Sequence, residues 1–113
     1  MSRRSGAASA LAEAAPVFAA LGDSTRLRLV AKLCAEGPRS IAELSEGADV
    51  TRQAITKHLH VLAEAGLVRD TRLGRERIFE LDVARLAAAR RCLEEISSKW
   101  DEALERLRVL VEE

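Results

Sequence analysis

Residues 50–81, VTRQAITKHLHVLAEAGLVRDTRLGRERIFEL, decide the fold of this 113-residue chain, because they hold a helical pattern, a stop signal and two strand-like segments in succession. In the first part, from Thr51 to Ala65, apolar residues recur at intervals of four and three: Ile55, Leu59 and Leu62. That spacing predicts an α-helix with one buried stripe. Gly66, directly after it, predicts the end of the helix.

The opposite face of this helix is polar. It carries five side chains that form hydrogen bonds: Arg52, Gln53, Thr56, Lys57 and His60. Together with Thr51 at the start of the helix, these are residue types that contact phosphates and base edges when a helix lies in the major groove of DNA. A solvated surface without a partner explains this helix equally well when it is considered alone, so its neighbours decide between the two readings.

The neighbouring segments favour DNA. Upstream, Ser40-Ile41-Ala42-Glu43 has the pattern of a capping box, and Gly47-Ala48-Asp49 predicts a tight turn, which together make a helix-turn-helix. Downstream, residues 67–73 and 77–81 alternate like strands around Gly74 and predict a β-hairpin. Three arginines cluster near its tip: Arg72, Arg75 and Arg77. A helix-turn-helix followed by a basic hairpin is much rarer than either feature, and a basic tip suits a phosphate backbone or a minor groove.

In combination, these segments resemble the ArsR-type family of bacterial winged-helix transcriptional repressors. The resemblance covers about residues 15–82 and rests on LGDSTRLRLV at 21–30, IAEL at 41–44, AITKHL at 54–59 and GRER at 74–77. It implies a mainly α fold with a small β-hairpin and a homodimer that binds an operator in double-stranded DNA, usually to repress. Residues 51–65 would be the recognition helix and the hairpin from Arg72 to Arg77 the wing.

Composition and charge set limits on this interpretation. The chain is 48% hydrophobic, enough for one modest core, and its formal net charge is zero. Residues 51–79 nevertheless hold six cations against three acids, a modest and one-sided basic surface. We therefore expect one copy to hold DNA weakly and two half-sites to be bound at once.

The two ends of the chain have different expected roles. Residues 1–9 are expected to form a loose arm, whose Arg3 and Arg4 either fray or touch DNA, before a single domain at residues 10–113. No apolar run is long enough to span a bilayer, and the first six residues lack the apolar core of a signal peptide, so we expect a cytoplasmic protein without a membrane partner.

Residues 83–112 predict one long dimerisation helix after Asp82 as N-cap. Apolar residues fall seven apart, with a second set three residues after each: Leu86, Leu93, Trp100 and Leu107, then Ala89, Ile96, Ala103 and Leu110. At about 1.5 Å per residue the helix spans roughly 45 Å, too long for so small a core to cover. We expect its first half to pack on its own domain and its second half to meet a second copy.

A helix from about Ala10 to Leu21, with Pro16 indicating a kink or a late start, is expected to form the other wall of that interface. The dimer interface predicted from the first and last helices has six members: Leu11, Phe18, Leu93, Ile96, Trp100 and Leu107.

No cofactor or metal is predicted. The family's thiolate metal box would fall on residues 40–44, which contain no cysteine, and residues 83–113 contain no histidine for the interfacial zinc site of other members. His58 is expected to pack between helices. The placement of Cys34 and Cys92 resembles that in family members that sense persulfides, and a switch between them requires Cα atoms within about 7 Å. Two cysteines in a cytoplasmic chain are usually reduced packing residues, so the switch is the secondary hypothesis, and no effector is predicted.

An enzyme is not expected, because the chain lacks a glycine-rich phosphate loop, a tyrosine, and a nucleophile with supporting histidine and acid. A winged helix used as a protein-protein interaction module is the alternative function, but it calls for apolar anchors on the exposed face of the 51–65 helix. The polar residues there favour DNA. We expect Arg52 and Gln53 to contact bases. We expect the phosphates to be contacted by Thr51, Thr56 and Lys57.

Overall fold

The structure is a computed structural model that describes residues 5–112. Within these residues it contains five α-helices and three β-strands: α1 Ser5–Leu21, α2 Ser24–Glu36, β1 Arg39–Ser40, α3 Ile41–Ser45, α4 Arg52–Glu64, β2 Val68–Leu73, β3 Glu76–Leu81 and α5 Val83–Glu112. The predicted mainly helical fold with a small hairpin is confirmed.

The first helix differs from its prediction. We expected a loose arm up to Ser9, but α1 begins at Ser5 and continues through Pro16 to Leu21. The segment is rich in alanine, the residue with the highest helix propensity, and this outweighs the single hydrogen bond that a proline removes. Arg3 and Arg4 lie outside the described residues. Among residues 11–21 of α1, three small or branched side chains are buried: Ala14, Val17 and Ala20.

The helix-turn-helix consists of α3 and α4, and both start at capped positions. Ser40 Oγ accepts a hydrogen bond from the Glu43 N–H at 3.2 Å, and the Glu43 carboxylate accepts one from the Ser40 N–H at 2.9 Å, so the predicted capping box is confirmed. The Ser40 N–H also holds the pKa of Glu43 below its usual range. Thr51 caps α4, whose Ile55, Leu59 and Leu62 form the predicted buried stripe.

The wing is an antiparallel hairpin of β2 and β3, paired from Val68 with Leu81 to Leu73 with Glu76, and Gly74 takes a positive φ of 65° in its turn. A third strand, β1, was not predicted, because two residues are too short to show alternation. It pairs Arg39 with Phe79 and Ser40 with Ile78. Since Ser40 also caps α3, this strand connects the wing directly to the helix-turn-helix.

One hydrophobic core joins these elements. Its largest fully buried side chains come from α1, from α4, from the segment that follows α4 and from β3: Val17, Ile55, Leu59, Leu62, Leu67 and Phe79. The first half of α5 closes the core against α1, with Ala89 and Cys92 buried. The recognition face of α4 is thereby held outward by the burial of its opposite face.

The capping box makes a stability prediction. Ser40→Ala removes the hydroxyl that accepts the Glu43 N–H, so we expect the free energy of unfolding in urea to fall by about 0.5–2 kcal/mol. Ser97→Ala, at an exposed position of α5, is the matched control and should change that free energy by less than about 0.5 kcal/mol. Equal unfolding free energies for the two variants would contradict the role of this cap.

Candidate nucleic-acid interface

The outward face of α4 carries the polar residues that the sequence analysis selected. Arg52, Gln53, Lys57 and His60 are exposed, as is the cap Thr51. No acid in the described part of the chain forms a salt bridge with Arg52 or Lys57. Both cations are therefore available to an anionic partner.

The cap Thr51 and Thr56 of α4 both use their hydroxyl groups in hydrogen bonds to the backbone of the helix. Thr51 Oγ1 accepts a hydrogen bond from the Ala54 N–H at 3.1 Å, which leaves its own hydroxyl hydrogen to donate to a phosphate. Thr56 Oγ1 donates to the Arg52 carbonyl at 3.0 Å. Because a phosphate oxygen needs a donor, Thr56 must give up this bond to hold one, and it suits the predicted role less well than Thr51.

The three wing arginines are not equivalent, a difference that the sequence pattern did not predict. Arg77 Nε donates to Asp70 Oδ2 at 2.9 Å, and its guanidinium lies 5.6 Å from the centre of the Phe79 ring. The Arg77 side chain holds the pKa of Asp70 below its usual range. The charge of Arg77 is thus balanced within the hairpin, and its predicted place among the outward cations needs correction.

Arg72 and Arg75 carry the outward charge of the wing. Both are exposed, and neither forms a salt bridge among residues 11–112. Strand register explains the difference: Arg72 stands opposite Arg77, which puts Asp70 diagonally across from Arg77 on the same face of the hairpin. This diagonal requires a two-residue turn at Gly74 and Arg75, a register that the strand pattern alone did not predict.

The recognition helix and the wing border one cleft of about 350 Å³, together with the start of α3. Three guanidinium groups line it: Arg52 from α4, Arg75 from the turn and Arg77 from β3. Thr56 and Ser40 add hydroxyl groups, and Glu76 is its one carboxylate among the described residues. A concave surface with this charge suits a strand of sugar-phosphate backbone.

The two histidines have different surroundings. His58 is half-buried, with Nδ1 3.4 Å from an Arg26 guanidinium nitrogen and 3.8 Å from Asp23 Oδ2. Arg26 Nε in turn donates to the Ala20 carbonyl at 2.6 Å, so this cluster ties α4 to α1 and α2 and confirms the predicted packing role of His58. The backbone N–H of Arg26 holds the pKa of Asp23 below its usual range. His60 is exposed on α4.

The thiols and potential metal ligands form no joint site in the described part of the chain. Cys34 is exposed on α2, Cys92 is buried on α5, and both are free. Nothing in this arrangement favours a redox switch between them, which was the secondary hypothesis. No group of three or more histidine, cysteine, aspartate or glutamate side chains is placed to hold a metal ion among the described residues.

Most of the predicted dimer interface, which combines residues of the first and last helices, is exposed. Five of its six members are half or more exposed: Leu11 at 52%, Leu93 at 52%, Ile96 at 50%, Trp100 at 64% and Leu107 at 57%. Phe18 differs, because it is half-buried against its own core. Leu104, Val109 and Val111 are exposed as well, so the apolar surface is wider than a heptad seam. Despite this surface, none of the described helices has the length and hydropathy needed to cross a membrane.

Comparison with known proteins places the chain in a family. The profile of a helix-turn-helix domain matches residues 21–71. The HTH-type transcriptional regulator Rv2034 of Mycobacterium tuberculosis is 41% identical over 85 residues, which cover 75% of this chain and 76% of that protein. An ArsR-like transcriptional regulator from Rhodococcus sp. RHA1 is 38% identical with a TM-score of 0.73, over 88% of this chain and 92% of that chain.

A third relative is described as a homodimer. The homodimeric winged helix-turn-helix DNA-binding domain Mb0332 of Mycobacterium bovis, a possible ArsR-family regulator, is 26% identical with a TM-score of 0.64. That match covers 94% of this chain and 93% of the other. With the helix-turn-helix, the wing and these likenesses together, the chain belongs to the ArsR-type family of winged helix-turn-helix transcriptional regulators.

Proposed function

We propose that this protein is a homodimeric regulator that binds a palindromic operator in double-stranded DNA and represses transcription by occupying it. The observation that carries this proposal is the shared basic cleft, where Arg52 of the recognition helix and Arg75 of the wing line one concave surface. The homodimeric DNA-binding domain of Mycobacterium bovis supports the assembly and the ligand.

The position of each side chain on α4 suggests its role. Arg52 and Gln53 stand in the first turn of the helix, the part of a recognition helix that reaches base edges. An arginine pairs with a guanine through two hydrogen bonds, and a glutamine does the same with an adenine. Lys57 lies more than one turn further along, where a long flexible cation reaches the phosphates at the rim of the groove.

The exposed half of α5 supports the second copy. Trp100 and its apolar neighbours would be costly to leave in water, and a two-fold pair of these helices would bury them. Two recognition helices would then meet successive major-groove turns about 34 Å apart, which makes the operator palindromic. We place such a regulator in the cytoplasm, where bacterial DNA is found, and assign it no catalytic activity.

Removing Arg52 tests the reading of bases. We expect Arg52→Ala to cost about 1–3 kcal/mol of operator binding and to relax the preference at one base pair in each half-site. The measurement is selection of bound sequences from random DNA, with affinities then determined for the selected sites. Arg90→Ala, at an exposed position of α5, should leave both unchanged. Parental affinity and an unaltered preference in Arg52→Ala would refute the groove assignment.

Two wing variants with opposite expected effects on affinity test whether the wing contacts the phosphate backbone. Arg75→Ala should weaken binding to all sequences alike and lower the slope of log affinity against log salt by about 1. Asp70→Asn should do the reverse, because it removes a carboxylate and releases the Arg77 guanidinium. Titrations of operator and unrelated DNA at several salt concentrations give both slopes. Identical slopes in the two variants would mean that the wing does not contact the backbone.

A further inference from the structure

A second cleft lies between α2 and the turn that joins α3 to α4. Its volume is about 350 Å³, within the range of small-molecule sites, and it shares no lining residue with the cleft at the wing. The described residues that line it come from the first turns of α2, from the end of α3, from the turn and from the start of α4.

The floor of this cleft is apolar. It consists of Leu29 from α2, Leu44 from α3 and Ile55 from α4, all three buried in the core. Val50 stands at the mouth and is 37% exposed. An apolar group of a ligand would lose its contact with water against these side chains, which favours binding.

The rim of the cleft carries charges of both signs on opposite sides. Arg28 and Lys32 are one helical turn apart on α2, while Glu46 and Asp49 belong to the turn across from them. Like charges four residues apart on a helix repel each other, so the cationic side gains from an anion. Lys32 Nζ donates only to the Glu43 carbonyl, at 3.0 Å.

These opposite charges form no direct ion pair with one another. None of the salt bridges among the described residues involves Arg28, Lys32, Glu46 or Asp49. The two sides of the rim are therefore farther apart than a direct ion pair allows. A molecule that carries an anionic and a cationic group can bridge them, whereas a molecule with one charge can satisfy one side only.

We propose that this cleft binds a small amphipathic zwitterion of the amino-acid type. Its carboxylate contacts Arg28 and Lys32, and its ammonium group contacts Glu46 and Asp49. Its apolar side chain rests on the floor formed by the three buried residues. A DNA phosphate is a poorer occupant, because the two carboxylates of the turn repel it.

The location of this cleft couples it to the recognition helix, and this part of the inference rests on the proposed function. Ile55 belongs to α4, and Val50 directly precedes the cap Thr51, so the ligand contacts both α2 and the start of α4. A ligand that shifts the turn alters the affinity for operator DNA, and by linkage the DNA alters the affinity for the ligand by the same factor.

The test is a nuclear magnetic resonance titration of the full chain with two matched sets of probes. One set is L-leucine, 4-methylpentanoate and 3-methylbutylamine; the other is L-phenylalanine, 3-phenylpropanoate and 2-phenylethylamine. We expect saturable amide shifts in residues 24–32 and 46–50, with at least one amino acid bound about tenfold more tightly than both singly charged counterparts. Absence of saturable shifts with both sets would overturn the site. Binding of the carboxylates as tight as that of the matching amino acids would overturn it too.

Charge-matched variants identify the contacts. Arg28→Gln and Glu46→Gln should each weaken amino-acid binding about tenfold. Arg90→Gln and Glu94→Gln remove the same charges from an exposed ion pair of α5 and should leave it unchanged. All four positions are exposed, so the variants should fold. Equal affinities in the two pairs of variants would overturn the assignment of the rim.

Repeating the titration with operator DNA present separates the two proposals. A changed amino-acid affinity supports the coupling, and an unchanged one overturns it while the DNA-binding function stands. If the protein bound no DNA, the titration of the protein alone would still decide whether the cleft is a ligand site.

Discussion

The burial of Ile55, Leu59 and Leu62 is the constraint on which the rest of the structure depends. These side chains leave almost no surface exposed, and they fix the rotation of α4 about its own axis. A helix with one face so firmly held must present the opposite face to solvent. Arg52 and Lys57 point outward for this reason, and the wing and the cap of α3 are arranged around the same helix.

The wing is positioned by two interactions that differ in kind. Strand β1 attaches β3 to the residue that caps α3, so the hairpin cannot pivot without disturbing the helix-turn-helix. The Asp70 and Arg77 pair then braces the hairpin itself. Because Asp70 balances the charge of Arg77, the outward positive charge of the wing comes from Arg72 and Arg75. We expect a chain with zero net charge and so small a basic surface to hold DNA weakly as one copy. Under the proposed function, the exposed half of α5 contributes to DNA binding by joining two such surfaces.

Local signals in the sequence predicted much of this arrangement. The capping box at Ser40 and the glycine at the tip of the wing act within a few residues, so their patterns could be read directly. The exposure of Trp100 followed from the length of the last helix alone, since a helix of 30 residues is longer than a small core can cover. The predictions that were wrong or missing concerned contacts between residues distant in the sequence or segments with competing helix propensities. The start of α1 was set too late because the serine and glycine content of residues 1–9 was given more weight than the alanines that follow.

Strand β1 and the pairing of Arg77 escaped prediction for a related reason. Two residues cannot show a periodicity, and a diagonal ion pair is visible only after the register is known. The cleft beside α2 was also beyond a reading of local pattern, because Arg28 and Glu46 lie far apart in the sequence and only the fold puts them on one rim. Most of the α4 residues expected to face outward are exposed, whereas the pairing of charges became visible only in the structure.

The dependence of DNA binding on a second copy is tested most directly by Trp100→Glu, compared with Ser98→Glu at a nearby exposed position of the same helix. Sedimentation and operator titration are measured on the same samples. The account predicts that Trp100→Glu sediments as a monomer and loses about 100-fold or more in operator affinity, because the gain from binding two half-sites at once disappears. Ser98→Glu should remain a dimer with nearly parental affinity. A monomeric Trp100→Glu that bound the operator as tightly as the parent would contradict the account.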